Sequence, residues 1–167
     1  MPTYYIAKLV IEAMDAYGEH DIKVIKSSLN NESLDFNKTV GLYSYDYYIS
    51  EPLKQYLVQN TKNRIELDII GKHYPSYDWM QLMSIHFRRL CFTLSYVSES
   101  GSYGSGTKFV SEKINEEYDE YSENEIILNE TPIIVDENIH NFMLKYNLNR
   151  ELLHTYFKKL NMEITYI

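Results

Sequence analysis

Between residues 64 and 70 the chain reads Arg-Ile-Glu-Leu-Asp-Ile-Ile, with charged and apolar side chains alternating until the last step. Neighbouring residues of a strand point to opposite faces. The order therefore predicts a strand with a dry face of Ile65, Leu67 and Ile69 and a wet face of Arg64, Glu66 and Asp68. Around it the sequence offers further strands. Residues 3–14 are apolar and β-rich, with Tyr4, Ile6, Leu9 and Ile11 prominent, and predict an opening strand. Turn residues at 16–19 precede Ile22-Lys23-Val24-Ile25-Lys26, which reads as a second strand forming a hairpin with the first. The tyrosines at 43, 45, 47 and 48 favour a third strand over 40–49.

Helices punctuate the pattern. Ser50-Glu51-Pro52 has the hydroxyl, early acid and proline of a helix start, with Leu53, Tyr56 and Leu57 as its apolar face. From Tyr74-Pro75-Ser76 onward, Trp79, Leu82, Met83 and Phe87 recur at helical spacing. Phe92, Leu94 and Tyr96 then alternate like a strand. Residues 98–106, Ser-Glu-Ser-Gly-Ser-Tyr-Gly-Ser-Gly, suit a flexible hairpin loop, with Lys108-Phe109-Val110 as the returning strand. Ile127-Leu128 and Ile133-Ile134-Val135 flank Pro132, which predicts short edge pairing before the chain turns helical at Asp136. Ile139, Phe142, Met143 and Tyr146, then Leu152, Leu153, Tyr156, Phe157 and Leu160, predict two amphipathic helices joined by a tight turn.

These elements add up to an α+β fold: a mostly antiparallel sheet with two or three packed helices and a C-terminal helical hairpin. A chain of 167 residues, 44% apolar, closes one hydrophobic core and is too short to divide comfortably, so residues 1–167 are expected to form a single domain. A lone cysteine, Cys91, excludes an internal disulfide framework and fits a reducing cytoplasm. The opening Met1-Pro2-Thr3-Tyr4-Tyr5 carries no cationic region ahead of an apolar run, and no apolar run approaches the ~20 residues of a bilayer span. No membrane association is expected. Seventeen tyrosines against six glycines and four prolines have the character of an AT-rich coding sequence, as in a low-GC bacterium or its phages.

The net charge of −8 is unevenly placed. Residues 1–111 are nearly balanced, with eleven bases against twelve acids, and residues 139–167 carry a small positive excess. Residues 112–138 hold ten acids, among them Glu112, Glu116, Glu117, Asp119, Glu120, Glu123 and Glu125, against Lys113 alone. Such a field repels phosphate and steers cationic partners. A solvated loop produces the same composition.

Chemistry-bearing motifs are scarce. His20, His73, His86, His140 and His154 are scattered without the spacing that metal ligation requires. Cys91 sits in an apolar run, where a thiol packs as a small hydrophobe more often than it acts as a nucleophile. Gly101, Gly104 and Gly106 lack the lysine and following helix of a phosphate loop. Arg88-Arg89 is the only adjacent arginine pair, suited by default to solvation or an ion pair. No metal, cofactor or catalytic residue is expected, and the enzyme class falls below the binding class.

The stretch Leu144-Lys145-Tyr146-Asn147-Leu148-Asn149-Arg150-Glu151-Leu152-Leu153-His154-Thr155-Tyr156-Phe157-Lys158-Lys159-Leu160 resembles the core of bacterial helix-turn-helix regulators. In that family a second helix enters the major groove, so the resemblance implies a DNA-binding regulator using residues 139–161, with Asn149, Arg150, His154, Thr155 and Lys158 facing DNA. An ordinary helical hairpin covering a sheet has the same periodicity.

The leading functional expectation is a small acidic binding or inhibitory protein. Its residues Glu112, Glu116, Glu117, Asp119, Glu120, Glu123 and Glu125 would dock on a basic protein, such as a nuclease or another nucleic-acid-binding effector. Phage anti-defence proteins, including anti-CRISPR inhibitors, are similar in size and character. A bacterial toxin-immunity protein has the same acidic, single-domain signature, and the helix-turn-helix regulator is the alternative from a different class.

Overall fold

The computed structural model describes residues 4–41, 51–73, 75–111, 114–115, 120–121, 125–131 and 139–158, with the backbone alone from 108 to 131. Its centre is β1 (Tyr4–Ala13), as expected of the opening run. β1 pairs antiparallel with β5 (Arg64–Lys72) from Tyr4↔Lys72 to Glu12↔Arg64, and with β6 (Leu90–Ser98) from Tyr5↔Ser98 to Ala13↔Leu90. β4 (Lys54–Asn60) joins β5, while β7 (Tyr103–Ser111) and β10 (Glu125–Thr131) extend the sheet beyond β6. The six-stranded order is β10-β7-β6-β1-β5-β4. Every pairing among the described strands of this sheet is antiparallel, so the α+β expectation holds.

One face of the sheet is fully apolar at its centre. Tyr5, Ala7, Leu9 and Ile11 from β1 meet Ile65, Leu67 and Ile69 from β5 and Phe92 and Leu94 from β6. Three helices cover this face: α1 (Ala16–Lys26), α2 (Phe36–Gly41) and α3 (Tyr77–His86). Trp79 is the hub. Its ring stacks on Phe36 at 4.5 Å and meets Phe92 edge-on at 5.8 Å, and its indole N–H donates to Thr39 Oγ1 at 2.8 Å. The buried indole is thus satisfied by another buried group, as low-dielectric surroundings demand. The opposite face is apolar only at one end. There Ile6, Ile70, Val97 and Tyr103 lie beneath α4 (Ile139–Tyr146) and α5 (Arg150–Tyr156), which contribute Phe142, Met143 and Leu153. Two short pairings complete the described elements, β2 (Leu29–Asn30) with β3 (Ser33–Leu34) and β8 (Ile114–Asn115) with β9 (Glu120–Tyr121).

Several expectations are corrected. The second strand over 22–26 is the last half of α1. Asp15 accepts from Gly18 N at 2.9 Å and starts the helix, and Ile22 and Ile25, one helical turn apart, are both fully buried. The apolar spacing in Ile22-Lys23-Val24-Ile25 admits both periods, and the cap decides between them. The third strand over 40–49 is contradicted at its start, where Val40 and Gly41 finish α2; residues 42–50 lie outside the described residues. The helix expected after Ser50-Glu51-Pro52 is the strand β4, because β5 offers a free edge and Leu53 N donates to Ile70 O at 2.8 Å. Glu51 does face a helix N-terminus, but that of α2: its carboxylate accepts from Asn37 N at 2.8 Å and Phe36 N at 3.3 Å. Burial pushes the Glu51 carboxyl above its ordinary range against the pull of these bonds.

The loop expected over 98–106 is only a tight turn at 99–102, with Gly101 at φ +90°. Gly104 and Gly106 belong to β7, opposite Tyr96 and Leu94, on the face that α3 crosses. The strand at 108–110 and the edge pairing of Ile127-Leu128 are found as expected, in β7 and β10. Residues 132–138, including the expected helix start at Asp136, lie outside the described residues.

Two consequences are measurable. A Cβ on Gly18 would stand 2.5 Å from the backbone carbonyl of Arg89 and 3.0 Å from Ala13 Cβ. Gly18→Ala, which in an open helix would stabilise by about 1 kcal/mol, is expected to destabilise by about 1–3 kcal/mol through overpacking, read as a lower urea midpoint. Burial also pushes the Tyr5 phenol from 10.0 up to about 12, with a hydrogen bond to Ser76 opposing and Asp78 adding. A phenol harder to ionise when folded contributes stability that is complete below its unfolded value and is lost as pH climbs through the folded one. Urea titrations between pH 10.0 and about 12 are expected to show wild-type stability falling more steeply than that of Tyr5→Phe.

Candidate functional site

Beyond the apolar patch under α4 and α5, the second face of the sheet turns polar in successive cross-strand rows. The first row runs Tyr56, Asp68, Lys8, Ser95 and Ser105 across β4, β5, β1, β6 and β7. The next holds Glu66, Val10, Thr93 and Thr107, and a third brings Arg64, Glu12 and Cys91 together. The strand 64–70 does have the two faces its alternation predicts, but its charged face is not wet. Glu66 and Asp68 are 8% and 5% exposed, and Lys8, which faces them from β1, is 5% exposed.

Three buried charges, Lys8, Glu66 and Asp68, persist because each has an opposite charge beside it, with Arg64 as the second cation. Lys8 Nζ lies 3.0 Å from Asp68 Oδ1 and 3.8 Å from Glu66 Oε1. Arg64 sets its guanidinium between Glu66, at 3.4 Å, and Glu12. Asn149 Nδ2 donates to the other Asp68 oxygen at 3.0 Å, tying the helical hairpin to the middle of the sheet. The hydroxyl pairs Ser95–Ser105 at 2.8 Å and Thr93–Thr107 at 3.2 Å continue the network onto β7. Between this floor and the corner Lys145-Tyr146-Asn147 lies an open groove of about 310 Å³.

The expected acidic surface follows β7. Pairing of β7 with β6 ends at Lys108↔Phe92, whereas its pairing with β10 continues to Ser111↔Glu125. Ile114↔Tyr121 and Asn115↔Glu120 then nest inside that pair in the same antiparallel sense. β8 and β9 form a two-stranded sheet of their own, and residues 112–113 and 122–124 lie outside the described residues. Glu120 and Glu125 fall within β9 and β10. Glu112, Glu116, Glu117, Asp119 and Glu123 lie outside the described residues, as do the four tyrosines at 43–48.

The residues of the helix-turn-helix reading are divided. Asn149 caps α5, accepting from Glu151 N at 3.0 Å and Leu152 N at 3.4 Å while its amide reaches Asp68. Arg150 is half-buried, His154, Thr155 and Lys158 are exposed, and Thr155 donates back to Glu151 O at 2.9 Å. Tyr156 takes a hydrogen bond from Lys54 at 3.0 Å, which lowers its phenol and raises the lysine. Arg89 forms an ion pair with Asp15 at 3.2 Å and lies over the Tyr17 ring, while Arg88 is exposed. Burial, followed by the charge of Glu12, raises the Cys91 thiol, the opposite of nucleophile activation. Among the described residues no group of three or more His, Cys, Asp or Glu side chains is arranged to hold a metal, and no helix is long and apolar enough to cross a membrane.

Sequence reasoning passed over Lys8, which stands as the sole charge in the run Tyr4–Ile11. A cation inside a strand buried on both faces requires a buried counter-charge, and the alternating acids at 66 and 68 were the available signal. Comparison with protein-family models, curated proteins and solved structures finds no match for this chain.

Removing Lys8 leaves the buried Asp68 carboxylate without its cation and Glu66 with Arg64 alone, a mechanism that typically costs about 3–5 kcal/mol. Urea unfolding of Lys8→Met is expected to show a loss of that order, and adding Asp68→Asn is expected to recover part of it. An unchanged Lys8→Met midpoint would mean that the ion pairs are solvated and energetically idle.

Proposed function

We propose that the chain is a protein-binding inhibitor that presents its acidic segment to a basic surface on a partner, of the kind that lines the nucleic-acid groove of a nuclease or related effector. The observation that carries this reading is the nested backbone pairing from Ser111↔Glu125 to Asn115↔Glu120. Glu120 and Glu125 stand on these paired strands, and the other acids of 112–125 are close to them in sequence. Ten acids against one base over residues 112–138 make that region a source of long-range attraction for cations and of repulsion for phosphate. A phage anti-defence protein, including one of anti-CRISPR type, and a toxin-immunity protein both fall within this reading, because each neutralises a basic effector by occupying its surface.

A helix-turn-helix regulator is the second reading, favoured by the tight α4–α5 connection, where Asn147 takes φ +54° and Asn149 caps the second helix. It has less support. The start of α5 is held against Asp68 rather than left open to a groove, and the neighbouring carboxylates oppose an approaching phosphate.

The test is affinity purification from the native host with two baits, wild type and a variant carrying Glu116→Gln, Glu117→Gln, Asp119→Ser and Glu120→Gln. Wild type is expected to retain a basic nucleic-acid-binding protein that elutes as salt rises, and the variant to lose it, with association slowed by about tenfold or more at low salt. Equal capture by both baits removes the acidic segment from the mechanism. A salt-dependent gel shift with DNA would favour the regulator.

A further inference from the structure

The groove beside α4 is lined by charges of both signs, and this decides what it can hold. Lys8, Arg64 and Lys145 supply cations, Glu12 and Glu66 supply carboxylates, and Thr93 and Ser95 supply hydroxyls. A phosphate entering here would meet Glu12 and Glu66, and an amine would meet Lys8 and Arg64. Either would have to break ion pairs that already neutralise the floor. A neutral ligand rich in hydroxyls pays neither penalty. Each hydroxyl donates to a carboxylate and accepts from a cation, and an ionised carboxylate in an ion pair keeps lone pairs free for such donors.

We propose that this groove is a binding site for a neutral polyhydroxylated ligand, of the size of a mono- or disaccharide. Its volume of about 310 Å³ lies at the lower end of the roughly 300–1,000 Å³ typical of small-molecule sites. The floor is a sheet face on which polar side chains stand at fixed cross-strand spacings, already oriented by their own bonds: Arg64 between Glu12 and Glu66, Lys8 between Glu66 and Asp68, and Thr93 by Thr107. Such preorganisation lowers the ordering cost of binding. The Tyr146 ring, packed on Phe142 at 4.7 Å, forms part of the wall and adds apolar surface to it. Lys145 lies 5.2 Å above that ring at the rim. The inference rests on none of the acidic-segment residues and stands independently of the partner-binding reading.

Amide NMR of the full chain, titrated separately with glucose, mannose, maltose, inorganic phosphate, glycine and putrescine, tests it. At least one of the sugars is expected to give saturable shifts at Lys8, Thr93, Ser95 and Tyr146, with millimolar affinity. Thr93→Val, which keeps the branched shape a strand favours, and Glu12→Gln, which leaves Arg64 paired with Glu66, are each expected to weaken that binding by about tenfold, the equivalent of one hydrogen bond. The unchanged amide spectrum of each variant outside the groove controls for folding. The proposal is overturned if none of the sugars binds, if the shifts map elsewhere, if both variants bind like wild type, or if phosphate, glycine or putrescine binds more tightly than every sugar.

Discussion

Antiparallel pairing of β1 on both of its edges is the constraint on which the rest of this structure depends. Its partners lie far away in sequence, β5 beginning at Arg64 and β6 at Leu90, so the central three strands form only when distant segments meet. Loop closure of that kind is slow and is rewarded only once the sheet exists. Both faces of β1 are then committed. Tyr5, Ala7, Leu9 and Ile11 join the core under α1, α2 and α3, while Ile6 joins the smaller core under α4 and α5. A one-residue slip would exchange these faces and place Lys8 among the aromatic rings around Trp79.

Lys8 helps to prevent that slip. Apolar pairing alone tolerates shifted registers, whereas a buried cation has few acceptable neighbours, and here it sits directly opposite Asp68. Buried ion pairs contribute little net stability because desolvation offsets their attraction. Their effect is on specificity, since wrong registers leave charge uncompensated. The same group that fixes register also makes the second face of the sheet polar where α4 and α5 stop covering it. The groove is a product of that boundary: an apolar row under the hairpin, then rows of charges and hydroxyls beside it.

The acidic segment and the groove differ in electrostatic design. Along residues 112–138 like charges accumulate without nearby bases in sequence, a composition that favours a long-range field. In the groove, opposite charges are interleaved at contact distance, so the field is short-ranged and hydrogen-bonding geometry dominates.

Much of this architecture was legible in the residues. The alternation at 64–70, the apolar opening run, the helical spacing around Trp79 and the two C-terminal amphipathic stretches gave β5, β1, α3, α4 and α5, because each carries an unambiguous period or a long apolar face. The regions that misled are those where local signals compete. Ile22 to Lys26 fits a strand until Asp15 caps a helix, and Glu51 looks like the start of its own helix until its carboxylate reaches back to α2. Gly104 and Gly106 look like loop residues until β7 pairs them with Tyr96 and Leu94 of β6. Sequence by itself determined the α+β class, the central strands and the location of the excess negative charge, since period and composition are local properties. Only the tertiary structure decided that the charged face of β5 is buried, that Lys8 neutralises it, and that a groove opens beside Tyr146, because those facts depend on which distant strand lies alongside and at what register.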